Sequence, residues 1–162
     1  MELDPWHDFF VASAGASAAL AGLIIVAMSV NIVTIIGIPS MTSRAAATIA
    51  NLVLVVVVSI VALVPDLGNV ALGTAITVCG AGALYIAVDS ARNVLSVRAG
   101  RPIGQALVKG AVLIVPVALV ALGGIFVCFA SPAGLDLVAL GTVLAFVGSV
   151  TNAWVLLVEI LR

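Results

Sequence analysis

Charged residues are scarce in this chain, and their scarcity excludes several classes of protein. Only 8% of the 162 residues are Asp, Glu, Lys or Arg, and the net charge is -1. Binding to nucleic acid needs a cluster of basic side chains, so we expect no nucleic-acid partner. Hydrophobic residues make up 64% of the chain, which is more apolar surface than a soluble domain of this size can bury. The composition predicts an integral membrane protein with the lipid bilayer as its surroundings.

Side chains suited to catalysis or metal binding are equally few. The single histidine, His7, has neither a second metal ligand at a fixed spacing nor a Ser or Cys nucleophile placed with it. Cys79 and Cys128 lie at different predicted depths in apolar segments, so we expect two free cysteines rather than a disulfide. The phosphate-binding pattern G-x-x-x-x-G-K and the pair C-x-x-C do not occur. We therefore expect no enzymatic activity, no cofactor and no metal site.

Five apolar segments follow one another, and each is long enough to cross a bilayer as a helix. Their predicted bounds are residues 9–36, 44–64, 70–91, 104–129 and 135–161. Pro39 is predicted to stop the first helix, Ser43 to cap the second, and Pro116 to kink the fourth. The expected fold is all-α: one domain consisting of a bundle of five transmembrane helices.

The distribution of charge predicts the orientation of this bundle. With five spans, every basic residue falls on one side of the membrane: Arg44, Arg92, Arg98, Arg101, Lys109 and Arg162. The acidic residues of the loops and the N-terminus fall on the other side: Glu2, Asp4, Asp8, Asp66 and Asp136. Basic segments next to membrane helices stay in the cytoplasm. The N-terminus is therefore predicted outside and the C-terminus in the cytoplasm.

Small residues suggest how the helices pack. Between Ala12 and Gly22 the first span is almost entirely Ala, Gly and Ser, so other helices could approach it from several sides. We expect this span to be the centre of the bundle. The segment 70–74 recurs identically as 138–142, which suggests two hairpins of like orientation packed around the first span. Four glycines are predicted helix-packing positions: Gly15, Gly22, Gly141 and Gly148.

Polar residues inside the spans suggest a pathway for ions. The candidates for lining its cytoplasmic half are Asn31, Asn51, Asp89, Asn152 and Glu159. The candidates for an acidic outer mouth, which would concentrate cations, are Asp4, His7, Asp8, Asp66 and Asp136. The alternative for the first group is structural, since intramembrane amides bond to neighbouring helices and acids pair with bases such as Arg44, Arg92 or Lys109.

Both ends of the chain resemble a family of small bacterial integral membrane proteins, many of them from actinobacteria. The resemblance is carried by the segment W-H-D-F-F-V-A at residues 6–12, the Ala/Gly run with S-V-N at 29–31, and N-A-W-V-L-L-V-E-I at 152–160. Members of that family start with a W-H-[DE]-F-F segment. The resemblance implies a bacterial cytoplasmic membrane and brings no catalytic residue.

Two functions are compatible with these patterns. The first is a homo-oligomeric channel or transporter subunit for small cations, with Asn31, Asn152 and Glu159 lining or gating its inner half. The second is a non-catalytic accessory or assembly subunit whose polar residues only hold helices together. We expect a homo-oligomer because the loops are too short for a regulatory domain and the small residues can pack further copies.

Overall fold

A computed structural model describes residues 4–37, 39–96 and 103–160 of the chain. After a short 3-10 turn at Asp4–Trp6, the helices are α1 (His7–Val30), α2 (Ile32–Ile36), α3 (Pro39–Ala62), α4 (Asn69–Ser96), α5 (Ile103–Cys128) and α6 (Ala133–Ile160). The described residues contain no strand. All helices except α2 are long and apolar enough to cross a membrane, five in total. The all-α fold and the number of spans are thus confirmed, and the chain is a multi-pass membrane protein.

The first predicted span is divided in two by Asn31. Helix α1 ends at Val30, and the backbone N–H of Asn31 bonds to the Met28 carbonyl, three residues back instead of four. The Asn31 side chain also donates to the Ala27 carbonyl at 3.2 Å. An asparagine side chain that bonds to the preceding turn competes with regular helical bonding. The short helix α2 then continues the chain to Ile36.

The prediction that Pro39 stops a helix is wrong, because Pro39 is the first residue of α3. Proline has no N–H, and the first turn of a helix leaves its N–H groups without intrahelical partners in any case. Ser43 consequently lies inside α3 and does not cap it. Pro116, by contrast, lies within α5, which continues as one helix from Ile103 to Cys128.

The central helix is α3, and the prediction that the first span occupies the centre is wrong. Helix α3 contacts α1, α2, α4, α5 and α6, whereas the contacts of α1 with other spanning helices are almost all with α3. In an 18-residue apolar segment of α3, 56% of the residues are buried, whereas in the corresponding segment of α1 only 22% are buried. Large side chains such as Leu52, Val55 and Val58 are fully buried on α3. In a bilayer these side chains stabilise the bundle through van der Waals packing with neighbouring helices, because lipid tails are as apolar as the side chains themselves.

Helix α5 lies between α4 and α6, and glycines on both neighbours face it. A Cβ on Gly73 of α4 would lie 2.5 Å from the Cys128 backbone nitrogen, and one on Gly141 of α6 would lie 2.8 Å from the Pro116 carbonyl oxygen. These two glycines occupy the same place in the repeated pentapeptide. The expected arrangement of two hairpins around the first span is therefore replaced by contact between the hairpins.

The helices alternate in direction, so the loops alternate between two ends of the bundle. Asp8 begins α1, Asp66 lies in the turn between α3 and α4, and Asp136 begins α6, all at one end. We call this end, together with Asp4 and His7, the acidic end. Arg44 and Arg92 lie towards the opposite end. Which end faces the cytoplasm stays a prediction.

Candidate functional site: a buried polar cluster between helices α3 and α6

A connected group of polar side chains joins the beginning of α3 to the last third of α6. A guanidinium nitrogen of Arg44 donates to the Asn152 side-chain oxygen at 2.7 Å. The Asn152 amide nitrogen donates to the Thr48 hydroxyl, which in turn donates to the Arg44 carbonyl at 2.8 Å. Arg44 is 7% exposed, Thr48 0% and Asn152 8%. We call these three residues the polar cluster.

The polar cluster follows from the spacing of its members. Arg44 and Thr48 are one helical turn apart and therefore lie on one face of α3, opposite Asn152. An asparagine amide offers one acceptor and two donated hydrogens. The acceptor is used by Arg44, and the donor nitrogen reaches the Thr48 hydroxyl and also, at 3.5 Å, the Arg44 carbonyl. The arrangement holds the two helices together.

Other buried polar atoms lack a partner. Asn51, two turns along α3 from Arg44, is 1% exposed, and neither its amide nitrogen nor its oxygen has a hydrogen bond among the described residues. Buried polar groups are nearly always bonded in folded proteins, and an unpartnered amide inside a span is costly. The remaining buried hydroxyls without a partner in the described structure are those of Ser17, Ser59, Ser90 and Ser149.

The predicted pathway residues differ in their surroundings where the structure describes them. Asn152 bonds to α3, whereas the side chain of Asn31 bonds to the Ala27 carbonyl of α1. Asp89 is exposed on α4. Glu159 belongs to α6, but its side chain lies outside the described structure, as does that of Lys109. Glu2, Arg98, Arg101 and Arg162 also lie outside the described residues.

Three aromatic side chains pack together at the acidic end. Phe10 is 1% exposed, and its ring centroid lies 5.4 Å from that of Phe9, which lies 6.0 Å from that of Trp6. These rings pack with the core residues Leu54, Val58 and Ala62 of α3. The residues proposed as an outer mouth are all exposed: Asp4, His7, Asp8, Asp66 and Asp136. Within the described part of the chain they form no group of three metal-ligating side chains.

The predicted packing glycines fall into two pairs. Gly141 and Gly148 on α6 face α5, where a Cβ on Gly148 would lie 3.1 Å from a methyl group of Val112. A Cβ on Gly15 or Gly22 would meet nothing within 4 Å, since the face of α1 that carries them is not covered within the chain. The same residue type thus marks close helix contact in the fifth span and open surface in the first.

A groove of about 290 Å³ separates α1 from α6 near the acidic end. Its lining combines two aromatic rings, aliphatic side chains and three hydroxyl groups: Phe9, Ala12, Ser13, Ala16, Ser17, Thr142, Val143, Phe146 and Val147. The groove exists because α1 packs against α3 and makes few contacts with α6. We call it the α1–α6 groove.

Sequence reasoning missed the polar cluster as a unit and missed the α1–α6 groove. The spacing of Arg44, Thr48 and Asn51 along the sequence places them on one face of the second span, but it does not identify their partner on α6. The available signal was the cost of burying an arginine inside a span, which requires a hydrogen-bonding partner at matching depth on another helix. No sequence pattern predicts the groove, because it depends on the packing of α1 against α3 rather than against α6.

Comparison with known proteins adds no relative. No family model, no curated protein and no solved structure matches the chain. The resemblance to bacterial membrane proteins with the W-H-[DE]-F-F segment stays a prediction, and function has to be inferred from the geometry.

Proposed function

We propose that the chain is a non-catalytic accessory or assembly subunit of the bacterial cytoplasmic membrane, whose intramembrane polar residues hold its helices together. The observation that carries the proposal is the bonding of Asn152. The oxygen of this side chain, a predicted gate of an ion pathway, accepts a hydrogen bond from Arg44 at 2.7 Å. A side chain whose oxygen and nitrogen both bond to another helix holds α3 and α6 together.

The same bond weighs against cation passage beside Asn152. A small cation binds to oxygen ligands, and the only side-chain oxygen of Asn152 is already directed at a guanidinium donor. A cation bound to the same oxygen would lie beside the positively charged guanidinium of Arg44, which would repel it. Hydrogen bonds to charged groups are among the stronger ones, contributing about 1.5–3 kcal/mol each. The acidic end offers no open entrance through Phe10 either, since this ring is packed in the core.

An accessory role is tested by the composition of the complex in native membranes. The tagged chain is extracted into lipid nanodiscs without denaturation, and the mass and protein content of the particles are measured. We expect at least one other membrane protein at a fixed stoichiometry. Recovery of this chain alone, as a monomer or only as copies of itself, would contradict the accessory role; a homo-oligomer without other chains would favour the second candidate.

The structural role of Asn152 is tested on the purified protein in liposomes. Asn152→Leu should lower the free energy of unfolding without changing ion flux, because the residue ties helices. The matched control is Thr151→Val on the same helix, since the Thr151 hydroxyl is exposed and, within the described structure, bonds to the Val147 carbonyl of α6 alone. A wild-type protein that conducts cations, with flux altered by Asn152→Leu at unchanged stability, would overturn the proposal.

A channel or transporter subunit for small cations is the second candidate, and Asn51 favours it. Its amide is 1% exposed and both of its polar atoms are unpartnered in the described structure, as expected of a group that serves a passing ion or its water. Liposomes containing the protein would then show cation flux that Asn51→Leu abolishes and Thr151→Val leaves intact. Absence of flux from the wild-type protein would eliminate this candidate.

A further inference from the structure

The surface that the α1–α6 groove presents to an occupant is apolar. Its accessible walls are aromatic and aliphatic side chains of the two helices, among them Phe9, Ala16 and Val147. Ser17 and Thr142 are 0% and 3% exposed, so they offer almost no hydroxyl surface. The lining residues that the structure describes include no charged side chain. An occupant is therefore held by van der Waals contact with hydrocarbon and aromatic surface.

The dimensions of the groove match one lipid chain. From Phe9 to Ala16 helix α1 rises roughly 10 Å, which is most of the depth of one leaflet, about half of the 30 Å hydrocarbon layer. The volume of about 290 Å³ holds about ten methylene groups if each takes roughly 30 Å³, as a water molecule does in the liquid. A transmembrane helix about 10 Å wide would need roughly 800 Å³ over the same length. One acyl chain from the leaflet at the acidic end fits the groove, and a helix does not.

Two carboxylates lie where the groove reaches the membrane surface. Asp8 is in the first turn of α1 and Asp136 in the first turn of α6, and both are exposed. Asp8 is one helical turn before Ala12, which lines the groove. Asp136 is two turns before Val143, which lines the opposite wall. Each carboxylate thus continues the lining of its helix, and the headgroup of a lipid whose chain fills the groove lies beside two negative charges.

The charges at this end favour a headgroup with a positive group. The described arginines and lysine all lie towards the opposite end of the bundle: Arg44, Arg92 and Lys109. Among the described residues of the acidic end, His7 is the one side chain that can take up a positive charge. Lipid phosphates are usually bound by arginine and lysine. Asp8 and Asp136 therefore repel an anionic headgroup and attract an ammonium group.

We infer that the α1–α6 groove binds one acyl chain of a membrane lipid whose headgroup carries an ammonium group, as that of phosphatidylethanolamine does. The chain contacts both helices, including the rings of Phe9 and Phe146. The ammonium group lies near Asp8 and Asp136. The apolar walls hold the lipid, and the carboxylates select its headgroup. The inference concerns lipid binding alone and is independent of the accessory role proposed above.

Native mass spectrometry of the protein released from nanodiscs measures the headgroup preference. The nanodiscs contain equal amounts of phosphatidylethanolamine and phosphatidylglycerol with identical acyl chains, and the lipids that stay bound are identified by mass. We expect phosphatidylethanolamine to be retained about fivefold more often, the factor that exposed charge pairs can supply. Asp8→Asn and Asp136→Asn should each lower this ratio about twofold. Asp66→Asn removes the same charge at the same end, in the turn between α3 and α4, and should leave the ratio unchanged.

The position of the lipid is tested by filling the groove. Ala16→Leu places a larger side chain on the lining and should reduce the number of retained lipids by one. Ala18→Leu is the matched control, because Ala18 is equally exposed on α1 but lies outside the lining. This variant should retain as many lipids as the wild-type protein.

Three results would overturn the inference. Equal retention of the two lipids by the wild-type protein would mean that the ammonium group is not recognised. A fall of the ratio in Asp66→Asn as large as that in Asp136→Asn would mean that the charge of the whole acidic end acts, without a site at the groove. Loss of a protein dimer in Ala16→Leu, with the number of retained lipids unchanged, would mean that a second copy of the chain covers the groove.

Discussion

Small residues are abundant where α5 contacts α4 and α6, and they are abundant along α1. The two helices nevertheless pack in different ways. Around α5 the backbones come so close that an added Cβ on Gly124 would lie 2.8 Å from the Thr77 backbone nitrogen. Helix α1 contacts α3 through larger side chains, among them Phe10, Ile24 and Met28, and leaves Gly15 and Gly22 uncovered. Small residues therefore show where close approach is possible, and the rest of the bundle decides where it occurs.

The largest effect is expected where backbone meets backbone. Gly73→Val should destabilise the bundle by more than about 3 kcal/mol, because the new side chain would overlap the Cys128 nitrogen and the Gly124 carbonyl, neither of which can rotate away. Gly82→Val on the same helix is the control, since a Cβ there meets nothing within 4 Å. Unfolding in mixed detergent micelles followed by circular dichroism measures both. Equal losses of stability in the two variants would show that α4 and α5 are not in the contact described.

A smaller effect is expected at the contact between α3 and α6, where side chains make the connection. A double-mutant cycle with Arg44→Met and Asn152→Leu should give a coupling energy of about 1–2 kcal/mol, near the upper range for hydrogen bonds between membrane helices. Each single change leaves its partner without the bond at 2.7 Å, while the double variant removes both polar groups.

A parallel cycle between Arg44→Met and Thr151→Val controls for indirect effects, because the Thr151 hydroxyl bonds to the Val147 carbonyl of its own helix. It should give a coupling energy near zero. If the Arg44–Asn152 cycle also gave no coupling, the polar cluster would contribute nothing to holding the helices together.

The smallest effect is expected in the turn that ends α5, which takes part in neither of the two helix contacts discussed above. Ala130 has φ of 54°, and the N–H of Ser131 bonds to the Phe126 carbonyl while that of Ala130 bonds to the Val127 carbonyl. This is the Schellman pattern, in which glycine is usual at the position of Ala130. Ala130→Gly should therefore raise the free energy of unfolding by about 0.5–1 kcal/mol, because a left-handed alanine costs about 1–2 kcal/mol and added chain freedom offsets part of the gain. A loss of stability on detergent unfolding would contradict this turn geometry.

The five spans could be predicted from the sequence because hydropathy depends only on local composition. Their ends were less predictable, since Pro39 can stop one helix or begin the next, and Asn31 interrupts an otherwise apolar segment through its own side-chain bond. The partners of each helix could not be predicted. Arg44 and Asn152 are 108 residues apart, and nothing local to either residue identifies the other.

The polar cluster likewise combines residues that could be predicted from the sequence with contacts that could not. Asn152 could be recognised from sequence as a polar residue inside a span, and Arg44 and Thr48 as neighbours on one face of α3. That Asn152 bonds to them and not to Asn31 depends on α3 occupying the centre of the bundle. The centre in turn depends on the summed burial of side chains such as Leu52 and Val55, which no single motif records.

The most direct test of this account is the stability of two alanine variants measured side by side in the same detergent. Gly141→Ala places a Cβ 2.8 Å from the Pro116 carbonyl oxygen, and Gly22→Ala places one in open space. We predict a loss of about 1–3 kcal/mol for Gly141→Ala and a gain of about 0.5–1 kcal/mol for Gly22→Ala, since alanine favours a helix over glycine where nothing obstructs it. A loss in Gly22→Ala as large as that in Gly141→Ala would contradict the account, because it would mean that the first span is packed as closely as the last.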